Sequence, residues 1–245
     1  MIVSHEHQFI FVKTPKTAGT SIEACLSNVA GRDAIVTPDT HSQPKHDPRN
    51  WRRLFNPGPE LLRKARKGPD PKDPNGSFRA TGHDLKTRRA FYDHMSAQLA
   101  RDRLGRNVWN SYFKFCFVRN PWDQVASLYF YTAEQHRRGF EDWVSGKVSD
   151  LWPTWYMYTI ADEIAVDFVG RYERLEDDLS TALRHVGLTS DVELPRVNAG
   201  FRPTDGTGRP RFTPESSGRV ERLFAREIAH FGYVAPSWAS PSSDD

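Results

Sequence analysis

Apolar positions in this chain fall into short continuous runs, each followed by a helical stripe. Phe9, Ile10, Phe11 and Val12 form a run suited to a strand buried on both faces, and a loop containing Pro15 and Gly19 ends it. Ile22, Cys25, Leu26 and Val29 then fall at i, i+3, i+4 and i+7, the stripe of a helix that packs on a sheet. The order returns at Phe113, Phe115, Cys116, Phe117 and Val118, a second buried strand, with Asn120 as helix N-cap and Pro121 as first helical residue. A third strand is read over Ile164 to Tyr172, leading into an acidic helix from Leu175. A last helix is capped by Thr213, opened by Pro214, striped by Val220, Leu223, Phe224, Ile228 and Phe231, and closed by Gly232. Repeated strand, loop and helix predict an α/β chain with a central parallel sheet flanked by helices, in one domain over residues 1–245.

The intervening stretches read differently. Residues 37–80 carry eight prolines and little apolar periodicity, so they are expected to form an insertion or lid. A short helix from Pro59 to Lys67 lies within it, and its Arg63, Lys64, Arg66 and Lys67 either meet an anionic acceptor such as a sugar acid or form solvated surface. Phe91, Tyr92, Met95 and Leu99 share one face of a helix ending at Gly105, with His83 in the turn before it. Trp143, Trp152, Trp155, Tyr156 and Tyr158 crowd one stretch, as core packing or as faces on which a flat acceptor stacks. The tail beyond Trp238 is expected to fray.

The loop after the first strand carries the first candidate chemistry. Its amides and the first-turn N–H groups of the helix converge on one point, with the positive end of the helix dipole behind them, and such a point attracts anions. Lys16 adds a mobile charge, Thr17, Thr20 and Ser21 add hydroxyls, and Gly19 admits a bulky oxyanion. The phosphate loop of nucleotide triphosphatases has its lysine after the second glycine, whereas here Lys16 precedes Gly19 and Thr20 stands where that lysine belongs. A second anion grip follows from Arg119 at the carboxyl end of the second strand and Ser127 two turns into the next helix.

The segment PKTAGTS resembles the 5′-phosphosulfate loop of sulfotransferases that use 3′-phosphoadenosine 5′-phosphosulfate (PAPS), and VRNPWDQVAS resembles their 3′-phosphate motif. The wording is nearest the carbohydrate branch that includes the heparan 2-O type, and FVGRYERLEDDL, the Pro195 to Asn198 segment and FTPESSGRVERLFAREIAHFGY share that likeness. The resemblance implies a P-loop-kinase-like sulfotransferase fold, PAPS as co-substrate and 3′-phosphoadenosine 5′-phosphate (PAP) as product. It places Lys16, Thr17, Ala18, Gly19, Thr20 and Ser21 on the 5′-phosphosulfate, Arg119 and Ser127 on the 3′-phosphate, and Arg209 and Arg211 on the 3′-phosphate or adenosine. Lys16 is the expected stabiliser of the departing oxygen and His83 the expected general base, with Glu23 and Asp84 as substitutes. Two other readings stay open: an ATP-dependent small-molecule kinase with a variant phosphate loop, and a non-catalytic anion-binding module.

Composition narrows partners more than chemistry. The chain has 245 residues, 34 Lys and Arg against 31 Asp and Glu, and a net charge of +3. The charge is uneven: residues 32–89 hold 14 basic against 7 acidic residues, and residues 140–193 hold 4 against 12. A basic segment beside a binding loop can steer an anionic ligand or simply face water. It is short and has no recognisable nucleic-acid module, so a small-molecule or carbohydrate acceptor is expected and nucleic acid is not. The opening MIVSHEHQ lacks the basic and apolar regions of a signal, and no apolar run approaches a membrane span, so a cytoplasmic protein without membrane anchor is expected, like a soluble bacterial relative of the anchored Golgi enzymes in the resembled branch. Cys25 and Cys116 fall on apolar faces, and no metal-ligand spacing is present.

Overall fold

The computed structural model describes residues 1–39, 46–68, 73, 75–136, 138–146, 151–188, 194 and 209–239, with only the backbone of 133–136. In chain order the elements that position the site are β1 (Ile2–Ser4), β2 (Phe9–Phe11), α1 (Gly19–Val29), β3 (Ile35–Val36), α2 (Gly58–Lys67), α3 (Gly76–Lys86), α4 (Ala97–Leu104), α5 (Arg106–Ser111), β4 (Phe113–Val118) and α6 (Pro121–His136). They continue as α7 (Phe140–Val144), α8 (Trp155–Tyr158), β5 (Thr159–Ile160), β6 (Glu163–Ile164), β7 (Phe168–Arg171), α9 (Leu175–His185), α10 (Pro214–Leu223) and α11 (Ala225–Phe231).

The central sheet has the order β3-β1-β2-β4-β7. Strands β2, β4 and β7 run parallel, with Phe11 opposite Phe115 and Val118 opposite Arg171. The fold is thus α/β, with a mostly parallel central sheet flanked by helices. One strand departs from the expected pattern: β1 lies antiparallel between β2 and β3. Its three residues are too few to announce themselves by periodicity.

Alternation along the strands divides the core between two faces. Phe9, Phe11, Phe115 and Phe117 point toward α1 and α9, where Ile22, Cys25, Leu26, Leu179 and Leu183 complete one cluster. Ile10, Val12, Cys116 and Val118 point the other way, against Phe91, Met95, Ala97, Ala100, Trp109 and Tyr158. At Gly170 a Cβ would lie 2.4 Å from the Phe117 ring, so only glycine lets β7 pass that side chain. A third cluster joins α6, α7 and α10 through Trp122, Val125, Trp143, Val220 and Phe224. Burial pushes the Cys25 thiol up to about 12 and raises that of Cys116 as well, as expected of small buried hydrophobes.

Three helix and strand boundaries shift. The helix expected over Phe91 to Leu99 begins only at Ala97, where the Ser96 hydroxyl accepts from the Leu99 N–H. Before it the chain turns through His94 at φ 53°, while Phe91 and Met95 still reach the core. The expected strand over Ile164 to Tyr172 divides, because the Asp167 carboxylate takes the Lys114 N–H at 2.8 Å and only Phe168–Arg171 joins the sheet. The last helix breaks at Phe224 into α10 and α11, with the expected Thr213 cap and an αL Gly232 at its ends.

The insertion is fastened rather than loose where it is described. Glu60 on α2 binds Lys64 at 2.6 Å and Arg103 of α4 at 3.0 Å, and Arg103 also binds Asp84 of α3 at 2.7 Å. Burial opposes ionisation of Glu60, but hydrogen bonds from Lys64, Thr81 and Arg103 outweigh it and hold the carboxyl below its usual range. Arg63 binds Asp102 at 2.8 Å, so Arg63 and Lys64 hold helices together and do not face the cavity described below. Among the described residues no helix is long and apolar enough to cross a membrane.

Candidate active site

The loop between β2 and α1 turns through Lys16 at φ 63° and Ala18 at φ 61°. Left-handed residues thus flank Thr17, a backbone of the kind from which anion-binding concavities are built. Two threonines lock it from behind. The Thr14 hydroxyl donates to the Phe117 carbonyl, and the Thr17 hydroxyl donates to the Thr14 carbonyl at 3.0 Å. Thr17 is therefore buried behind the loop, while Lys16, Ala18, Gly19, Thr20 and Ser21 line a cavity of about 870 Å³. A Cβ on Gly19 would lie 2.6 Å from Lys13 Cγ, so the glycine also makes room for a buried lysine.

The second motif meets the first directly. Arg119 Nη1 donates to the Lys16 carbonyl at 2.8 Å, its Nε and Nη2 bind Asp123 at 2.7 and 2.6 Å, and its guanidinium lies 3.8 Å over the Tyr172 ring. Asp123, Ser127 and Tyr131 are spaced four apart on α6 and so share one side of that helix. Tyr131 carries Lys16 Nζ 3.6 Å over its ring. Ser127 thus lies on α6 between the partner of Arg119 and the partner of Lys16. Arg209 and Arg211 are exposed ahead of α10, Arg209 5.9 Å over Trp238, and the cavity lining does not include them. The 201–208 part of their loop, like Pro195 to Asn198, lies outside the described residues.

The rest of the cavity is built by Trp51, Arg52, His83, Thr87, Arg89, Tyr92, Asp93, His94 and Trp152. His83 is not in a turn: it sits exposed on α3 at the cavity wall. Of its substitutes, Asp84 is bound to Arg103, and Glu23 is fully buried against Lys13 at 2.8 Å and the Met1 amine. Of the aromatic stretch, Trp152 alone lines this cavity, edge-on to His94 at 4.8 Å, whereas Trp143 and Tyr158 are core.

Two features went unread in the sequence. Lys13 is 3% exposed and binds Glu23 at 2.8 Å, Asp93 at 3.1 Å and Asp39 at 3.3 Å. Burial works against its charge, but those carboxylates outweigh it and raise the lysine above its usual range. The alternation of Phe9 and Phe11 already places Lys13 on the α1 side, where Glu23 waits. His94 is the second. Its Nδ1 lies 3.3 Å from the Lys13 carbonyl and its Nε2 3.4 Å from the Asp93 carboxylate, both acceptors, so the protonated ring serves both and the neutral ring leaves one nitrogen lone pair facing an acceptor. Burial lowers the His94 pKa against the opposing pull of Asp93, which favours the neutral ring. Among the described residues no group of His, Cys, Asp or Glu is arranged to hold a metal ion.

Comparison with known proteins adds an independent finding. A family profile described as Sulfotransferase family matches residues 1–234. An uncharacterized protein of Archaeoglobus fulgidus is 32% identical over 110 residues, covering 42% of this chain and 91% of that one. Carbohydrate sulfotransferase 11 of Rattus norvegicus is 22% identical over 97% of this chain and 68% of its own length, and carbohydrate sulfotransferase 10 of Xenopus laevis is 25% identical over 58% and 52%. A crystal structure of a sulfotransferase from Alicyclobacillus acidocaldarius aligns over 94% of this chain and 98% of that one, at 17% identity and a TM-score of 0.41.

Proposed function

This chain belongs to the sulfotransferase family, and from that premise we propose that it transfers a sulfuryl group from PAPS to a hydroxyl or amine of a carbohydrate or other small acceptor, releasing PAP. The observation that carries this reading is the contact between the two anion grips, Arg119 on the Lys16 carbonyl. A nucleotide with charge at both its 5′ and 3′ ends would reach from the loop to Arg119 and Ser127, which the cavity lining does not include and of which Arg119 is also bound to Asp123. The relatives named as carbohydrate sulfotransferases support a sugar acceptor.

The donor supplies an activated sulfuryl group, and the chain supplies position and charge. Ala18, Gly19, Thr20 and Ser21 hold the 5′-phosphosulfate with N–H and hydroxyl groups, while Thr17 holds the loop's shape. Lys16 moves from Tyr131 to the bridging oxygen, whose bond to sulfur breaks as the acceptor oxygen forms its own. Arg119 and Ser127 hold the 3′-phosphate, with Arg209 and Arg211 covering the nucleotide. His94 Nε2 takes the acceptor's proton, and Asp93 stabilises the imidazolium so formed.

Comparing two alanine variants tests the proton acceptor. His94→Ala is expected to lower PAP release about 10²–10⁴-fold with PAP affinity unchanged, and His83→Ala to stay within a few-fold. Full activity in His94→Ala with loss in His83→Ala returns the role to His83. Because only neutral His94 accepts a proton and burial lowers its pKa, the acid limb of kcat/KM should fall below the ordinary histidine value of about 6.5. A limb at or above that value contradicts the assignment.

A further inference from the structure

Two arginines in the cavity are brought together by an isolated antiparallel bridge, Arg52 opposite Arg89. Arg53 N–H donates to the Arg88 carbonyl at 2.8 Å and Phe91 N–H to the Trp51 carbonyl at 3.1 Å, which fixes that register. Residues directly opposite in an antiparallel pair project to the same side, and like charges so placed repel. Both side chains line the cavity and are exposed within it. Arg52 lies 4.6 Å over the Trp51 ring and Arg89 4.6 Å over the Tyr92 ring.

The pair differs from the buried lysine of the same cavity. Lys13 is held by Glu23, Asp39 and Asp93. Among the described residues neither Arg52 nor Arg89 has a carboxylate within 4.0 Å, although Asp39 and Asp93 line the same cavity. The backbone at Arg89 is anchored. Arg103, 6% exposed, donates to the carbonyls of Arg89 and Ala90 at 3.0 Å each while bound to Glu60 and Asp84. The bridge register thus sets two like charges on one side of the pair, one of them on an anchored backbone, and an anion that meets both guanidiniums relieves the repulsion and gains charge-assisted hydrogen bonds.

We infer that Arg52 and Arg89 recognise an anionic group on the acceptor, so that the preferred acceptor carries a carboxylate or sulfate near the hydroxyl or amine that is modified. This rests on the sulfotransferase reading of the same cavity. Trp51, Tyr92 and Trp152 line the same cavity, the first two each with one face covered by Arg52 or Arg89, and add aromatic surface of the kind a sugar ring packs on. The donor's phosphates are the other possible source of such an anion, and they are assigned to the loop and to Arg119.

The test is a tryptophan-fluorescence titration with a glucuronate-containing oligosaccharide and with its carboxyl-reduced counterpart, in the presence and absence of PAP. The wild-type chain is expected to bind the acidic probe at least about tenfold more tightly than the neutral one. Arg52→Gln and Arg89→Gln each weaken that preference and the double variant abolishes it, while the PAP dissociation constant and binding of the neutral probe stay unchanged. Equal binding of both probes, no binding of the acidic probe, or an undiminished preference in the double variant overturns the inference. Loss of PAP affinity in the double variant also overturns it, since the arginines then serve the donor. An arginine-dependent preference in a protein that does not bind PAP keeps the anion site and removes the sulfotransferase reading.

Discussion

Lys16→Ala is expected to lower turnover about 10²–10³-fold while weakening PAP binding far less. The reason is the timing of charge. In the proposed mechanism the loop N–H groups and the hydroxyls of Thr20 and Ser21 hold the 5′-phosphosulfate in the ground state, and the substitution removes none of them. Negative charge grows on the bridging oxygen only as its bond to sulfur breaks, and Lys16 Nζ, which rests 3.6 Å over Tyr131 at the cavity wall, is the group placed to meet it. An interaction made only in the transition state lowers kcat and kcat/KM together. The substitution keeps a Cβ at a residue with φ 63°, and the Arg119 bond goes to the main-chain carbonyl, so loop geometry survives. Single-turnover kinetics beside PAP titration make the measurement. Turnover within a few-fold of wild type contradicts the role.

Lys13→Met is expected to cost about 3–5 kcal/mol of stability, which for a chain of this size lowers Tm by roughly 6–20 °C. Methionine fills much of the same space, so the loss is electrostatic. Glu23, Asp93 and Asp39 all bind this one buried ammonium, and removing it leaves carboxylates facing one another with the Met1 amine as the remaining nearby cation. The pH dependence distinguishes this from a packing defect. In the wild-type chain, burial opposes ionisation of Asp93, but the Met1 amine, Lys13 and His94 outweigh it and depress its pKa. Its contribution is therefore complete above the unfolded carboxylate value of about 3.9 and is lost as pH falls through the folded value. Without Lys13 the burial effect dominates, the folded-state pKa values rise, and stability falls as pH rises. The gap between the two proteins should be largest near pH 7 and narrow toward pH 5 in denaturant titrations. A gap that does not change with pH contradicts the account.

Local patterns exposed the loop side of the cavity, and non-local geometry hid the other side. The loop was legible as a candidate anion site because lysine, glycine and hydroxyl residues stand between an apolar run and a helical stripe. Arg119 was legible because a strand end, an Asn cap and a helix-opening proline fix its place. Lys13 escaped because one residue past a short apolar run reads as loop, although the alternation of Phe9 and Phe11 aims it at α1. His94 escaped for a different reason. Phe91, Tyr92, Met95 and Leu99 fit a helical period, which puts residue 94 on the solvent side, but the αL turn at His94 rotates it into the cavity. The Arg52 and Arg89 pair depends on a bridge between segments 37 residues apart, counted from 52 to 89, which no window of periodicity spans. The same holds for Arg103, whose partners Glu60 and Asp84 lie on two other helices.

The most direct test of the central claim is calorimetric titration with PAP, beside AMP and ATP with magnesium, of the wild-type chain and Arg119→Ala. The account predicts a clear preference for PAP over AMP in the wild-type chain, because the proposed mechanism puts the 3′-phosphate on Arg119 and Ser127, and loss of that preference in the variant. Equal binding of PAP and AMP, or preferred binding of ATP with magnesium, contradicts the PAPS reading and points the loop toward phosphoryl transfer.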